Sequence, residues 1–390
     1  MIDFTNLPRR NKTYGGANGS KRSVIYQDEQ YMLKFPPHPS RNRDMSYANS
    51  CLSEYLGCHI FALAGIPVQE TLPGTYTYHG KEKIVVACKD FTSPGVVLQD
   101  FASMKNQVID SERNGYGTEL DDILFSIHEQ PAIDPKELEE RFWDMFIVDA
   151  LIGNWDRHNG NWGVLYDTVH DMVALAPVFD CGSCLYPQLD EGKMQAVLSD
   201  PREMDFRVYE IPLSGIKQQD KKIRYFDFLS SLEYEGCNAA LKRIGPRLDM
   251  EQICRLIDET PCLSGLQRRF YKEILALRKE RIIDYSLQNA GGISACSAQC
   301  QSSCGQSAVH AVQQRTLGLL SASGNRAGTD GKQPSCDRMG ITPPALFCGK
   351  AVRPSEFQSI IPLKEQPRPG GAGSLAASGG EAASIAQRYL

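Results

Sequence analysis

The side chains best suited to chemistry lie in two short stretches of this sequence. Asp156 and Asn161 share a polar, glycine-rich run, and Asp180 follows an apolar stretch farther along the chain. A phosphoryl group that moves between two oxygens needs Mg²⁺ held by hard oxygen ligands and a base that orients the attacking hydroxyl. The spacing therefore predicts phosphoryl transfer from ATP, with Asp156 as the base and Asn161 and Asp180 as ligands of Mg²⁺.

The same polar run has a simpler interpretation as a solvent-exposed turn, because Asp, Asn and Gly are common turn-forming residues. The second aspartate favours a kinase site, since a strand-like apolar stretch precedes it and Gly182 follows it closely. Cys181 and Cys184 adjoin it as a C-x-x-C pair, but no second pair lies nearby. Packing is therefore predicted for these cysteines rather than a redox or zinc role.

A glycine-rich loop near the N-terminus is a candidate cover for the nucleotide phosphates. Glycines let backbone N–H groups approach phosphate oxygens, and a lysine at the end of the loop adds positive charge. The candidate contacts are Gly15, Gly16, Ala17, Asn18, Gly19 and Lys21. The loop fits neither the Walker pattern nor G-x-G-x-x-G, so an ordinary turn is the alternative.

An ion pair behind this loop is predicted from the residues that follow it. Residues 22–26 and 31–35 form two strand-like runs, and Lys34 lies in the second. Its side chain points opposite to those of its neighbours, hence toward the cleft if they face the sheet's core. A predicted helix over residues 46–64 carries Glu54 off its main apolar stripe. We therefore predict that Lys34 pairs with Glu54, although a strand lysine is usually solvent-exposed.

The connection between two lobes is predicted near residue 93. Strands are expected over residues 68–71, 75–79 and 83–88, and Ser93-Pro94-Gly95 then breaks the alternation. The backbone just before this break is expected to contact the adenine edge. The residues assigned to that contact are Val86, Ala87 and Cys88.

Helices dominate the sequence beyond this break. Asp134 is a predicted cap for a helix that begins at Pro135, whose wide apolar stripe predicts burial. Further helices are predicted over residues 249–259 and 266–285. The last has a basic face, made of Arg268, Arg269, Lys272, Arg278, Lys279 and Arg281. A solvent-exposed face is the default interpretation, and a net charge of −5 argues against general nucleic-acid affinity.

These elements predict an α+β, two-lobed protein-kinase-like fold. The expected domains are a small, mainly β N-lobe over residues 1–92 and a larger helical C-lobe over residues 93–290. With 390 residues and 42% hydrophobic content, the chain can bury a core of that size. Gly, Ser, Ala and Gln dominate residues 291–390, which are predicted to form a disordered tail.

Cysteine usage and the N-terminus bear on the compartment. Thirteen cysteines are an odd number spread over both lobes, which suits a reducing cytosol better than a disulfide framework. Cys296, Cys300 and Cys304 could share one helix face as metal ligands, but a fourth ligand is missing. The N-terminus has no apolar signal segment, so a cytoplasmic location is expected, and no apolar span long enough for a membrane is present.

The order of these motifs resembles the HipA-type serine/threonine kinases. The features that match are the glycine-rich loop, Leu-Lys-Phe, a helix glutamate, Leu-Ile-Gly-Asn-x-Asp-x-His-x-x-Asn and Leu-Ala-Pro-x-Phe-Asp, over about residues 1–290. The closest likeness is to the compact, cell-translocating members, which lack an extra N-terminal subdomain. The resemblance implies that the phosphoryl acceptor is a serine or threonine of a protein. It leaves open an antitoxin-type regulator and a non-classical route out of the cell.

Carried over to this chain, the resemblance implies catalytic roles for Asp156, Lys34 and Glu54, with Lys34 contacting the α- and β-phosphates. His158, beside the base, is a further candidate nucleotide contact, and autophosphorylation on serine is expected. One departure matters: many family members have a lysine just before the metal-binding asparagine, where this chain has Gly160. Any positive charge that this lysine supplies to the γ-phosphate is expected to come from Arg157 or Lys21 instead.

Two other functions fit the same residues. Asp-Arg-His-Asn-x-Asn also resembles the catalytic loop of phosphatidylinositol kinases, which must bind a membrane. The sequence lacks the dense basic cluster beside an amphipathic helix that would favour such binding. A pseudokinase that acts as a binding module is the third possibility. It is disfavoured because every expected polar position is filled.

Overall fold

The computed structural model describes residues 1–15, 20–37, 48–109 and 114–290. Within them the chain has the predicted α+β composition, with a β-sheet followed by a mainly helical region. The tail predicted over residues 291–390, its three cysteines, and the loop residues Gly16, Ala17, Asn18 and Gly19 lie outside the described residues. The first sheet and the helices that pack behind it position the candidate site.

Six strands form the N-terminal sheet, in the order β1-β5-β6-β4-β3-β2. Their bounds are β1 Ile2–Asp3, β2 Arg9–Arg10, β3 Lys21–Tyr26, β4 Glu29–Lys34, β5 Thr71–Tyr78 and β6 Lys81–Lys89. One face buries its own apolar cluster, which includes Leu33, Phe35 and Val85. Because successive side chains alternate, Lys34 projects from the opposite face, as predicted from its neighbours.

Strand β5 corrects the sequence prediction, which placed two separate strands at residues 68–71 and 75–79. The strand runs without a break from Thr71 to Tyr78. Strand β1 pairs in parallel with it at Gly74, and a Cβ on this glycine would lie 2.3 Å from the ring of Phe4. The glycine therefore gives room for a neighbouring strand rather than ending one.

Helix α1 spans Ser50–Leu63 and joins the sheet to the helical region. Its residues Leu52, Leu56 and Ile60 are buried in the large apolar cluster that the later helices also form. Glu54 is also buried, with 1% of its side chain exposed. The helix is therefore apolar nearly all round, and a buried carboxylate on it requires a cationic partner.

The remaining elements follow strand β6. A three-stranded antiparallel sheet, β7-β8-β9, and a hairpin, β10-β11, accompany the helices. The bounds are β7 Val96–Asp100, α2 Phe101–Val108, α3 Leu120–Glu129, α4 Pro135–Ile152, β8 Gly163–Asp167, β9 Met172–Leu175, α5 Glu191–Ser199, α6 Pro201–Tyr209, β10 Lys217–Gln218, β11 Lys221–Lys222, α7 Tyr225–Ser231, α8 Glu235–Ile244, α9 Met250–Glu259, α10 Gly265–Arg278 and α11 Tyr285–Asn289. A π-helical turn, Lys279–Asp284, joins α10 to α11. Among the described residues, no helix combines the length and apolarity needed to cross a membrane.

Helix α4 leads directly into the candidate catalytic loop. Asp134 caps it as predicted, its carboxylate accepting from the N–H of Lys136, with Pro135 in the first turn. Its end is held by Arg278, which was predicted to lie on a solvent-exposed basic face. That side chain is only 1% exposed and donates to the carbonyls of Ala150 and Leu151 at 2.7–3.1 Å. The basic-face prediction is wrong at this residue because these helix-end carbonyls have no partner inside α4.

Candidate active site

Lys34 lies between two carboxylates at the centre of the candidate site. Its Nζ is 2.9 Å from Oε2 of Glu54 and 2.8 Å from Oδ1 of Asp180. The ion pair predicted between Lys34 and Glu54 is therefore present, and both residues border the same space as Asp180. Strand β4, helix α1 and the segment after β9 each supply one member.

The charges of Lys34 and Asp180 stabilise each other's ionised forms. Burial alone would lower the pKa of Lys34, but Asp180 and Glu54 raise that pKa well above its usual value. Burial would raise the pKa of Asp180, but Lys34 and Lys21 lower it to about 2. Asp180 is therefore ionised throughout the physiological pH range, as a ligand of Mg²⁺ must be.

The backbone around Asp180 holds the carboxylate in an uncommon conformation. Asp180 has φ = 58°, in the left-handed region that residues other than glycine rarely adopt. The preceding segment is fixed because Val178 N–H donates to the carbonyl of Pro67 at 2.9 Å and its carbonyl accepts from Gln69 N–H at 2.8 Å. Such local strain is typical of functional sites.

The second stretch singled out in the sequence follows helix α4 as a loop with one 3₁₀ turn, Asn159–Asn161. Asn161 donates its Nδ2 to the carbonyl of Asp156 at 2.9 Å, which leaves Oδ1 as the side-chain atom suited to a metal. His158 caps the turn, with Nδ1 accepting from the N–H of Gly160 at 3.0 Å. Burial raises the pKa of Asp156, which makes this carboxylate a stronger base than an exposed aspartate.

Arg157 was expected from the sequence to be able to reach a substrate phosphate, but the structure shows it buried. The side chain is 4% exposed, and its guanidinium binds both oxygens of Asp149 on α4 at 2.9 and 3.2 Å. Its NH1 also donates to the carbonyls of Asn161 at 3.0 Å and Phe179 at 2.6 Å. One buried cation thus connects the catalytic loop to the residue before Asp180.

The network around Arg157 contains functional residues that sequence reasoning missed. Asn154 is fully buried and donates its Nδ2 to Asp149 at 2.9 Å, while its Oδ1 accepts from the N–H of Asp156 at 3.2 Å. Asp149 thereby positions the candidate base through Asn154 and the candidate metal ligands through Arg157. Asp149 lies within the buried part of α4. A buried acidic residue needs a partner, and this was the signal in the sequence that could have revealed the network.

Gly15 and Lys21 lie at the two ends of the glycine-rich loop, within the part of the chain that the structure describes. Lys21 is the cross-strand partner of Lys34 in the pairing of β3 with β4, and its Nζ donates to the carbonyl of Gly15. Burial, followed by repulsion from Lys34, lowers the pKa of Lys21. Two lysines opposite each other are unfavourable unless an anion lies near both.

The residues assigned to adenine lie within the sheet. Val86, Ala87 and Cys88 pair with β4 on one side and with β5 on the other, so the two ladders use their backbone groups. The side chain of Ala87 belongs to the sheet's own apolar cluster, whereas Val86 and Cys88 pack against Cys51 of α1. Backbone bonding continues past the strand end, since the N–H of Lys89 donates to the carbonyl of Glu70 and the N–H of Asp90 to that of Gln30, both at 2.8 Å.

Asp90, at this strand end, connects the loop stem to the lobe connection. Its carboxylate accepts from Lys12 Nζ at 2.6 Å, from the hydroxyl of Tyr14 at 2.8 Å and from Nε2 of Gln30 at 3.0 Å. It also accepts from the N–H of Thr92 at 3.0 Å. Although burial opposes ionisation, these donors hold the pKa of Asp90 below its usual value.

We expect Asp90→Asn to raise the KM for ATP several-fold, up to about tenfold, with little change in kcat. The substitution weakens charge-assisted hydrogen bonds that hold the stem of the glycine-rich loop, and each such bond contributes about 1.5–3 kcal/mol. Steady-state kinetics at varied ATP concentration measure the effect. Glu29→Gln, which removes an exposed carboxylate 3.3 Å from Lys89, is the control. An unchanged KM in the Asp90 variant would contradict this role.

The donor set fits Mg²⁺ better than a protein-only metal site. Among residues 1–15, 20–37, 48–109 and 114–290, no group of three His, Cys, Asp or Glu side chains could hold a metal ion. Asp180 and Asn161 offer one carboxylate and one amide oxygen, and Mg²⁺ commonly takes few protein ligands and completes its shell with substrate phosphates and water. Cys181 and Cys184 are fully buried against Gly57 of α1, as expected of packing residues.

Comparisons with known proteins agree with this geometry. The HipA-like C-terminal domain family matches residues 13–224. The serine/threonine-protein kinase CtkA of Helicobacter pylori strain J99 is 48% identical over 303 residues, which cover 77% of this chain and 92% of that protein. The crystal structure of a Helicobacter pylori proinflammatory kinase CtkA matches with a TM-score of 0.71 and 49% identity, covering 75% of this chain and 98% of that one. The chain therefore belongs to the HipA-like family of serine/threonine-protein kinases.

Proposed function

We propose that the protein transfers the γ-phosphoryl group of Mg-ATP to a serine or threonine of a protein. The observation that carries this proposal is the contact of one ammonium, Lys34 Nζ, with both Glu54 at 2.9 Å and Asp180 at 2.8 Å. This arrangement places a phosphate-binding cation beside a metal-binding carboxylate. The relationship to CtkA supports the same reaction.

In this reaction the acceptor hydroxyl forms a bond to the γ-phosphorus, and the bond to the β,γ-bridging oxygen breaks. ADP leaves with the electron pair, and Asp156 takes the hydroxyl proton. Lys34 binds the α- and β-phosphates while Glu54 keeps it in place. Mg²⁺, held by Asp180 and Asn161, would neutralise the phosphate charge.

We assign the adenine contact to residues 90–92 instead of residues 86–88. The backbone N–H and carbonyl of Phe91 form no hydrogen bond with any other described residue, whereas the ladders occupy those of Val86, Ala87 and Cys88. The ring of Phe91 lies 5.6 Å from that of Phe179, so this segment is also close to the residue before Asp180. Gly15 and Lys21 remain proposed phosphate contacts, as does His158.

Autophosphorylation on serine is part of the proposal. The sequence offers four candidates, Ser20, Ser23, Ser183 and Ser199. Ser23 is 3% exposed and is removed, because a buried hydroxyl cannot enter a second active site. Ser20 and Ser199 are exposed, and Ser183 is partly exposed. A phosphate at Ser20 would repel the phosphates of ATP and lower activity.

The test is incubation of the purified protein with Mg-ATP, followed by mass spectrometry for phosphoserine. We expect phosphate on the wild-type protein and none on Asp156→Asn. The same assay should offer a protein acceptor and phosphatidylinositol vesicles in parallel. Transfer to the lipid alone would contradict the proposal, and ATP binding without any transfer would indicate a pseudokinase. An antitoxin-type regulator stays a prediction.

A further inference from the structure

The hairpin β10-β11 presents two lysines side by side, and neither is held in an ion pair by a residue that the structure describes. Lys217 and Lys222 are cross-strand partners, and a two-residue turn with positive φ at Gln219 and Asp220 fixes this register. Among the described residues, neither lysine forms an ion pair. Like charges directly opposite each other on a hairpin are destabilising, so this arrangement calls for a bound anion.

Both ends of this hairpin rest on the catalytic loop. Before Lys217, the backbone of Gly215 lies against Arg157, because a Cβ on the glycine would be 3.0 Å from the carbonyl oxygen of Arg157 and 3.1 Å from its nitrogen. After Lys222, the hydroxyl of Tyr225 donates to the carbonyl of Asn154 at 2.5 Å. Asp156 lies between these two anchored residues in the sequence, so the hairpin is fixed beside the candidate base.

Hydrogen bonds make this placement rigid. Lys217 N–H donates to the carbonyl of Thr118 at 2.8 Å, and Ile223 N–H donates to the carbonyl of Ile216 at 3.0 Å. Both isoleucines are buried, with 2% and 5% exposed. The charges also interact: burial raises the pKa of Asp156, while His158 and Lys222 lower it. Lys222 is thus within electrostatic reach of the base.

The catalytic loop itself offers no free lysine or arginine on this side of the site. Arg157 is the loop's one residue of this kind, and it is buried and bound to Asp149 and two carbonyls. Lys21 is paired across the sheet with Lys34, on the nucleotide side. The phosphoryl group arriving at the acceptor hydroxyl therefore lacks a positive partner from these elements.

We propose that Lys222, supported by Lys217, contacts the γ-phosphoryl group and stabilises it during transfer. This inference rests on the proposed kinase function and assigns the charge that the buried Arg157 does not supply. The lysine pair on the hairpin then faces the acceptor side of the phosphoryl group, and the pair Lys21–Lys34 faces the nucleotide side. Bond making and breaking are as described for the proposed reaction, and Lys222 neither gives nor takes a proton.

Nucleotide binding and kinetics of Lys222→Met test the assignment. Because ADP lacks the γ-phosphate, we expect Mg-ADP to bind as in the wild type and the non-hydrolysable β,γ-imido analogue of ATP to bind more weakly by at least about threefold. We expect kcat to fall at least about tenfold, since the contact strengthens in the transition state. Lys222→Arg, which keeps the charge, should retain most of the affinity for the ATP analogue and most of kcat.

Lys221→Met is the matched control, because it removes the same charge from the neighbouring exposed position of the same strand. It should leave binding and kcat unchanged. Equal losses in both variants would show a general surface-charge effect and overturn the assignment, as would a raised KM for the protein acceptor with unchanged binding of the ATP analogue. If the wild type transfers no phosphate, the proposed function fails, while the comparison of ADP with the ATP analogue still tests the contact.

Discussion

Asp180→Asn is expected to lower phosphoryl transfer at least about 100-fold while leaving the protein folded. The substitution keeps the size of the side chain, and asparagine tolerates the positive φ of 58° at this position. It removes the charge that would hold Mg²⁺ and that binds Lys34 at 2.8 Å. Initial rates with saturating Mg-ATP measure the loss. Asp156→Asn and Asn161→Ala are expected to act in the same way.

The matched control is Asp28→Asn. Asp28 also has a positive φ, 64°, but lies exposed in the turn between β3 and β4, away from the cleft. Its substitution should change neither the rate nor the thermal unfolding temperature. A folded Asp180→Asn protein with near wild-type activity would refute the assignment of the metal ligand.

Asp149→Asn is expected to reduce the free energy of unfolding by about 3–5 kcal/mol and to abolish most activity. It leaves the buried guanidinium of Arg157 without its counter-ion, and removing one partner of a buried ion pair costs about that much. Activity should fall because Arg157 then no longer fixes the carbonyls of Asn161 and Phe179. Urea unfolding followed by circular dichroism measures the first effect.

Asp258→Asn provides the comparison for this variant. Asp258 pairs with Lys272 at the surface, where 54% of its side chain is exposed. Exposed pairs contribute about 1 kcal/mol or less, so the midpoint of unfolding should move little. If Asp149→Asn unfolds no more readily than Asp258→Asn, the buried pair does not stabilise the site as described.

Much of the candidate site followed from local sequence patterns. Alternation along β4 determined that Lys34 faces away from Leu33 and Phe35, and helical spacing placed Glu54 off the main apolar stripe of α1. These two periodicities placed each side chain on the face where the fold then brings them to 2.9 Å from each other. The caps of α4 and the burial of its apolar stripe were likewise determined by nearby residues.

Residues whose partners are distant in sequence were decided by the tertiary structure. Arg157 and Arg278 are cations of the kind that sequence reasoning places on surfaces or at ligands, yet Asp149 and the carbonyls of Ala150 and Leu151 bind them in the interior. Sequence periodicity fixes which face a side chain occupies, but not which charge or carbonyl lies opposite.

The same limit applies to two parts of the predicted nucleotide site, the adenine contact and the cation near the γ-phosphoryl group. The sequence showed a strand over residues 83–88 but not that strands would pair on both of its sides and use its backbone groups. Nor did it show that the hairpin carrying Lys222 would lie against Arg157 and Asn154, through Gly215 and Tyr225. The sequence alone indicated the chemistry proposed for the loop, because the candidate base Asp156 and the candidate metal ligand Asn161 are close together in the chain. Tertiary structure decided which cations lie near it, because electrostatic partners are selected by distance in space.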